Sequence, residues 1–345
     1  MSNPLKSLTE EYLPAIDTEM RSVLHEPDGM APADDLFYGM IHYHMGWKDQ
    51  DLERMMLNSG KRIRPLLSLL TCNAAGGAWE QAVPAAAAIE IIHNFSLVHD
   101  DIQDASDTRR GRQTVWTLWG APQAINTGDA MFAMAHLSLN RLADRGVPPA
   151  NVVRAFRRFD ETCVRLTQGQ YADMSFETRD DVTTDEYMDM ITGKTAVLIA
   201  LSAELGALIA GADDETINHY ATFGRDLGLA FQIQDDILGI WGDESLTGKS
   251  AATDIETRKK SLPVLYGLEQ SAALRDLYAQ PDGSNDNFVR DAVTSLDATD
   301  ARAYATELVT EYSNSALGNL EAAAPQGDAG VALFQLTDQL LHRNY

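Results

Sequence analysis

The sequence predicts an all-α protein, and three observations carry that reading. Apolar residues recur at helical spacing along most of the chain, while alternating Val/Ile/Thr-rich strand patterns are nearly absent. Alanine and leucine, both good helix formers, are frequent. No linker, low-complexity stretch or fixed-period repeat interrupts the pattern, so residues 1–345 are expected to form one large helical domain.

In chain order, the apolar spacing predicts helices near 5–25, 34–58, 62–76, 79–104, 120–144, 149–170, 184–210, 213–240, 261–279, 286–296, 299–323 and 329–343. Thr183-Thr184-Asp185-Glu186 and Asp213-Asp214-Glu215 supply capped, acid-rich starts for two of them. The apolar run 196–212 carries Glu204 and is short for a membrane span, so it is read as a buried helix. The N-terminus has no apolar leader core, and the chain is expected to be cytoplasmic with no transmembrane segment. Three polar connections stand out at 105–119, 171–182 and 242–260. Loops of that length in a compact domain are often functional.

The charge balance narrows the partners. There are 33 Asp, 18 Glu, 20 Arg and only 7 Lys, a net charge of −24. Nucleic acid binding needs a basic footprint, which this chain lacks. An Asp-rich, Lys-poor surface suits a high-salt interior and is read as a sign of a halophilic source, the alternative being an acidic protein of a mesophile with a GC-rich genome. Cys72 and Cys163 sit in apolar surroundings and are expected to be free buried thiols.

Two acid clusters each close an apolar helix. In the first, His99-Asp100-Asp101-Ile102-Gln103-Asp104, the carboxylates of Asp100 and Asp104 share one helix face, and Asp101 lies about 100° away. The second is Gln232-Ile233-Gln234-Asp235-Asp236. Either alone reads equally as a solvated helix end. Facing one another, they would line a cavity mouth with oxygen ligands suited to Mg²⁺. Five of the seven lysines fall in three short motifs: Lys61 in GKRIRP, Lys194 in GKT, and Lys249, Lys259 and Lys260 in one loop. Arg109 and Arg110 follow the first cluster directly. Carboxylates beside phosphate-binding cations indicate a magnesium-bridged diphosphate.

SGKRIRP, SLVHDDIQDASDTRRGR, GQYAD, GKTA, FQIQDD and GDESLTGKSAATDIETRKKSLP occur in this order. Together they resemble the trans-isoprenyl diphosphate synthases, the polyprenyl synthetase family, and archaeal-type geranylgeranyl diphosphate synthases in particular. The resemblance spans roughly residues 58 to 265. It implies a helical bundle around a deep central cavity, of the isoprenoid synthase type, assembled as a homodimer. It implies that Asp100, Asp104 and Asp235 hold three Mg²⁺ once diphosphate is bound, with Asp101 and Asp236 supporting them. Lys61, Arg64, His93 and Arg110 would hold isopentenyl diphosphate. Arg109, Lys194, Thr195, Gln232, Lys249 and Lys259 would hold the allylic diphosphate, and Gln170 and Asp173 would line the wall. A lone His on an apolar helix is ordinarily a core residue; only its place seven before Asp100 makes His93 a ligand candidate.

The second motif departs from the family pattern: Gly239 stands where the last Asp is usual. A carboxylate reaching the metal through water would then be missing, and Asp243 is the nearest replacement in sequence. Restoring Asp at 239 is expected to lower the magnesium requirement.

The expected reaction is head-to-tail condensation of isopentenyl diphosphate with a dimethylallyl, geranyl or farnesyl diphosphate primer. Phe95, five before Asp100, lies about 7.5 Å lower on the helix and some 140° around it. Ser96, four before, is small and shares the metal face. With an aromatic only at the fifth position, the resemblance implies a C20 product, with C15 and C25 as the alternatives. Two other readings compete. A class I terpene cyclase needs a hydroxyl at position 239 and no second diphosphate site, whereas Lys61, Arg64 and Arg110 supply one. A non-catalytic subunit of a heteromeric synthase would explain Gly239 but not the intact first motif.

Overall fold

Helices make up nearly all the regular structure of the computed structural model, which describes residues 3–25, 36–55, 57, 60, 62–242, 252–281, 283, 285 and 287–341. The described chain divides into two compact units. One comprises Met1–Phe159, Ser202–Ile217 and Ala324–Leu333; the other comprises Asp160–Leu201, Asn218–Ala323 and Phe334–Tyr345.

The first unit is built on α1 (Pro4–Val23), α2 (Leu36–His44), α3 (Ile63–Ala74) and α4 (Trp79–Gln103). Next come the strands β1 (Thr108–Arg109) and β2 (Arg112–Gln113), then α5 (Val115–Trp119) and α6 (Ala121–Asn140). Helix α4 is the axis of this unit and packs against α6, α3 and α1. It shows little amphipathicity because its middle, Ala82 to Ile92, is buried on every side. Ala85 to Ala88, Ile89, Ile91 and Ile92 are sealed from solvent. The buried carboxylate of Glu19 on α1 is matched by Arg141 at 3.1 Å and Arg145 at 2.9 Å, as a carboxylate in an interior requires.

The second unit carries most of α7 (Pro149–Thr178), α8 (Thr184–Ile191), a π-helical turn at Thr192–Ala196, the start of α9 (Val197–Ala210) and most of α10 (Asp214–Trp241). It also holds the single turn α11 (Thr253–Glu256), α12 (Leu262–Gln270), α13 (Ala272–Tyr278), α14 (Phe288–Asp297) and α15 (Ala301–Ala322). Its core joins Tyr187, Met190 and Ile191 to Leu229, Ile233, Ile237 and Leu262. The last helix, α16, is Gly327–Leu341.

Both expected helix starts are present. Thr183 and Glu186 form a reciprocal capping box, and Asp213 accepts from Thr216 N at 2.8 Å. Four expectations need correction. The helix expected over 34–58 ends at His44, because Gly46 takes φ 77° and the Asp49 side chain accepts from the backbone of Asp51 and Glu53. The loop expected over 171–182 is helical to Thr178; its polar face hid the packing of Ala172 and Phe176 into the core. The helix expected over 261–279 breaks at Ser271, which is extended and caps the next segment through Leu274 N. The loop 105–119 contains a two-stranded hairpin and a short helix. Two helical stretches, Trp79–Gln103 and Thr184–Ala210, are long and apolar enough to cross a membrane, but the most apolar part of each is mostly buried inside the protein, as in core helices.

Candidate functional site

Helix α4 places Asp100 and Asp101 in its last turn and Asp104 at its C-cap. Asp100 is half-buried and Asp104 exposed. Asp101 is only 2% exposed and accepts from Arg109 Nε at 2.7 Å. Burial pushes the Asp101 carboxyl up, and the Arg109 guanidinium pulls it back down. Arg109 comes from β1, whose pairing with Arg112 leaves a two-residue turn, Arg110-Gly111. Both turn residues have positive φ, 53° and 74°, as a type I′ hairpin demands. Arg110 is thus held in a backbone conformation that side chains other than glycine rarely adopt. The hairpin is stapled to the 36–55 segment. Arg112 donates to Tyr43 O at 3.0 Å and Lys48 O at 2.9 Å, and lies 3.9 Å over the Tyr43 ring.

Beside this hairpin lies a cationic wall. Arg64, on α3, is half-buried, and its Nε, sealed from solvent, has no hydrogen-bond partner among the described residues. Burial lowers its pKa, and the buried Glu90 carboxylate counters that. Burial drives His93 well below the ordinary imidazole range, with Arg64, Arg110 and Arg109 adding to it, so the ring is neutral. His44 is pushed down to about 3 by burial and by the same hairpin arginines. Tyr43, His44, Asp101, Arg109, Arg110 and Arg112 share one pocket wall. Sequence reasoning missed His44 and Arg112. Arg112 had a signal, its place in the RRGR run; His44 had none, because only tertiary folding brings it to the hairpin. Ser96 donates to His93 O at 2.8 Å. The Phe95 ring turns toward α6, with His99 at 4.7 Å and Phe132 at 5.3 Å.

In the second unit, Lys194 sits in the π-helical turn. Single π turns recur at functional sites because they re-aim side chains. This one is pressed against α7: a Cβ at Gly169 would come within 2.3 Å of Lys194 N. That approach brings the Lys194 ammonium onto the Asp173 carboxylate, one turn along α7. Thr195 donates to Gln232 Oε1 at 3.0 Å, and Gln232 Nε2 donates to Asp236 at 3.2 Å. The Tyr187 hydroxyl donates to the other Asp236 oxygen at 2.5 Å. Lys259 stands 3.8 Å from both Asp236 and Asp254. Burial raises Asp236 to about 6, against the pull of Lys259 and the Tyr187 hydrogen bond. Asp235 faces outward and is exposed. Lys260 serves the backbone instead, donating to Phe176 O and Arg179 O at the end of α7.

The structure therefore assembles Arg64, His93, Asp100, Asp101, Asp104, Arg109 and Arg110 in one unit, and Lys194, Thr195, Gln232, Asp235, Asp236 and Lys259 in the other. Lys61, Lys249 and Asp243 lie outside the described residues. Among the described residues no three acidic, His or Cys side chains close around a metal by themselves.

The chain is similar to known proteins in sequence and fold. Residues 47–296 match the polyprenyl synthetase family model. A geranylgeranyl diphosphate synthase of Mycobacterium tuberculosis is 40% identical over 301 residues, 86% of this chain and 85% of that protein. A (2E,6E)-farnesyl diphosphate synthase of Mycobacterium bovis is 46% identical over 227 residues, 66% of this chain and 62% of that protein. The crystal structure of a polyprenyl synthetase from Streptomyces coelicolor A3(2) superimposes with a TM-score of 0.87 at 33% identity, covering 98% of this chain and 99% of that one. With its motifs in order on the same helical frame, the chain belongs to the polyprenyl synthetase family.

Proposed function

We propose that the protein is a magnesium-dependent prenyltransferase that extends an allylic diphosphate with isopentenyl diphosphate, geranylgeranyl diphosphate (C20) being the main product. One observation carries this reading beyond family membership: the wall of Arg64, His93 and Arg110 beside the first aspartate motif. A metal site alone has no use for it, and a second diphosphate does. The names of the relatives, geranylgeranyl and farnesyl diphosphate synthases, agree with the chemistry.

Asp100, Asp104 and Asp235 would hold the magnesium, with Asp101 and Asp236 supporting them. When bound, the ions neutralise the charge that grows on the departing allylic diphosphate. Arg109, Lys194, Thr195, Gln232, Lys249 and Lys259 hold that diphosphate. Lys61, Arg64 and Arg110 hold isopentenyl diphosphate, and neutral His93 contributes a hydrogen bond without adding charge. The allylic C–O bond would break first, the isopentenyl double bond would attack the allyl cation so formed, and a proton would then leave to the released diphosphate. The sealed apolar length of α4 keeps water from the cation. Residues 1–345 would act as a single catalytic domain. The assembly is a homodimer, supported by Ile125, Phe132 and Leu137, apolar side chains exposed along α6.

The test is purified protein in high KCl with Mg²⁺, isopentenyl diphosphate and C5, C10 or C15 primers, with products sized after dephosphorylation. A C20 alcohol is expected. Cyclic hydrocarbon without elongation would favour a terpene cyclase, and no turnover by the lone chain would favour a non-catalytic subunit. Light scattering at the dimer mass checks the assembly.

A further inference from the structure

Arg258, Lys259 and Lys260 stand in succession, and they do not share one task. Arg258 donates to Tyr278 O at 3.1 Å and Gln280 O at 3.0 Å, at the end of α13, and lies 4.0 Å over the Phe288 ring. Lys260 donates to Phe176 O at 3.0 Å and to Arg179 O, at the end of α7. Helix C-termini carry unpaired carbonyls and a partial negative charge, so each receives a cation. The Lys260 side chain is only 15% exposed, although Asp180, 3.6 Å away, is fully exposed. Its ammonium is thus seated on the carbonyls rather than on that carboxylate. Only Lys259, between the two, turns to carboxylates, with Asp236 and Asp254 each at 3.8 Å.

The bond from Lys260 to Arg179 O closes a ring of contacts. The Arg179 guanidinium donates to Asp181 at 2.8 Å and pairs with Glu186 at 2.9 Å. Glu186 is the capping-box partner of Thr183 at the start of α8. The next residue, Tyr187, donates to Asp236, which faces Lys259. The ring therefore runs Lys259, Lys260, Arg179, Glu186, Tyr187, Asp236 and back to Lys259. The joints 259–260 and 186–187 are peptide bonds and cannot stretch. Its inner side is sealed, with Tyr187 and Asp236 each 1% exposed. Its outer side, at Arg179, is open to solvent, where an ion pair adds little stability. What the outer side fixes is position: where α8 begins, and with it the Tyr187 hydroxyl.

We propose that Arg179 and Lys260 are positioning residues for the allylic diphosphate, holding Lys259 and Asp236 at their spacing by closing this ring. Neither acts on the substrate directly. Lys260 sets the place of Lys259 against the end of α7, and Arg179 sets the place of Tyr187, which holds Asp236. The inference rests on the prenyltransferase reading, in which Lys259 binds the allylic diphosphate.

Two titrations of the full chain test it apart from turnover. Calorimetry measures inorganic pyrophosphate binding with Mg²⁺, and isopentenyl diphosphate binding without it. Lys260→Met should weaken magnesium-dependent pyrophosphate binding roughly tenfold, the usual size for a group that orients a ligand. Arg179→Gln, on the surface, should weaken it roughly threefold, within what an exposed ion pair allows. Isopentenyl diphosphate binding should not change in either variant. Lys260→Arg keeps the charge and the donors and should recover most of the loss. The double variant Arg179→Gln/Lys260→Met should lose less than the two single losses multiplied, because both open one ring. Unchanged pyrophosphate binding in both single variants, a Lys260→Arg no better than Lys260→Met, or a wild type without magnesium-dependent pyrophosphate binding overturns the proposal. So does an equal loss of both ligands, the mark of a merely structural role. If Lys260→Met does not fold, Arg179→Gln decides alone. Elongation by the wild type judges the prenyltransferase reading separately.

Discussion

The two aspartate motifs solve one problem in two ways. In each, two adjacent aspartates close a buried helix, and the second of the pair is the tethered one: Asp101 is 2% exposed and Asp236 1%. Asp101 is tied by Arg109 from a hairpin eight residues on; Asp236 is tied by Gln232 on its own helix and by Tyr187 and Lys259 from two other segments. The first of each pair is less buried, Asp100 being half-buried and Asp235 exposed. The third carboxylate differs most. Asp104 comes from the same helix, whereas position 239 is glycine and the Asp254 carboxyl from another turn lies against it. A local site tolerates changes elsewhere in the chain, and a site assembled from distant segments depends on their packing.

The largest effect should come from the open aspartates. Asp100→Ala and Asp235→Ala should each cut kcat by roughly two to three orders of magnitude, since charge stabilisation by a metal is worth several kcal/mol at about 1.4 kcal/mol per tenfold. Both variants should keep the wild-type melting temperature without metal, because neither carboxylate holds a core. Near-normal turnover in either would remove it from the metal site.

That contrast also explains what was legible in the sequence. Asp100, Asp104, Arg109 and Arg110 lie within eleven residues, so spacing alone brought them together. Lys194 stood out because lysine is so scarce. His44 and Asp254 did not stand out, because each reaches its neighbours only through tertiary packing. The helices were legible from apolar spacing, but their ends were set by capping at Gly46 and Ser271, which a periodicity reading passes over. The stretch to Thr178 was hidden because its outward face is polar.

Next in size are the tethers. Asp101→Asn and Asp236→Asn should each raise the Mg²⁺ requirement roughly ten- to hundredfold, because groups that orient metal ligands typically carry that much. Tyr187→Phe removes only one of the bonds on Asp236 and should cost about 1 kcal/mol in stability, read as a lower urea midpoint. If Asp101→Asn alone is harmless, the two motifs are not built alike.

Product length probes the first unit. Phe95→Ala should shift products toward C25 and beyond, and Ser96→Phe should shift them toward C15. The Phe95 ring leans on Phe132, so Phe132→Ala should loosen its seat and broaden the distribution by a smaller amount. An unchanged product pattern in active Phe95→Ala and Ser96→Phe variants would remove both residues from chain-length control.

A smaller, global effect follows from the net charge of −24. Self-repulsion opposes compactness, and the Debye length shrinks from about 10 Å at 0.1 M salt to about 3 Å at 1 M. The melting temperature should therefore rise between 0.1 M and molar KCl. A melting temperature indifferent to salt would remove the halophilic reading.

The smallest effect compares the units through their two cysteines, Cys72 in the first and Cys163 in the second. Burial pushes each thiol up to about 12. At pH 8 only roughly one thiol in ten thousand is then ionised, and the thiolate is the reactive form. Native protein should take up almost no iodoacetamide over an hour, as read by intact mass. In stepwise urea, each label reports the opening of its own unit. Earlier labelling of Cys163 is expected, because Cys72 is fully sealed while Cys163 keeps 8% exposure. Rapid labelling of either thiol in the native state would mean that its unit opens locally, and would overturn the reading of both as inert core residues.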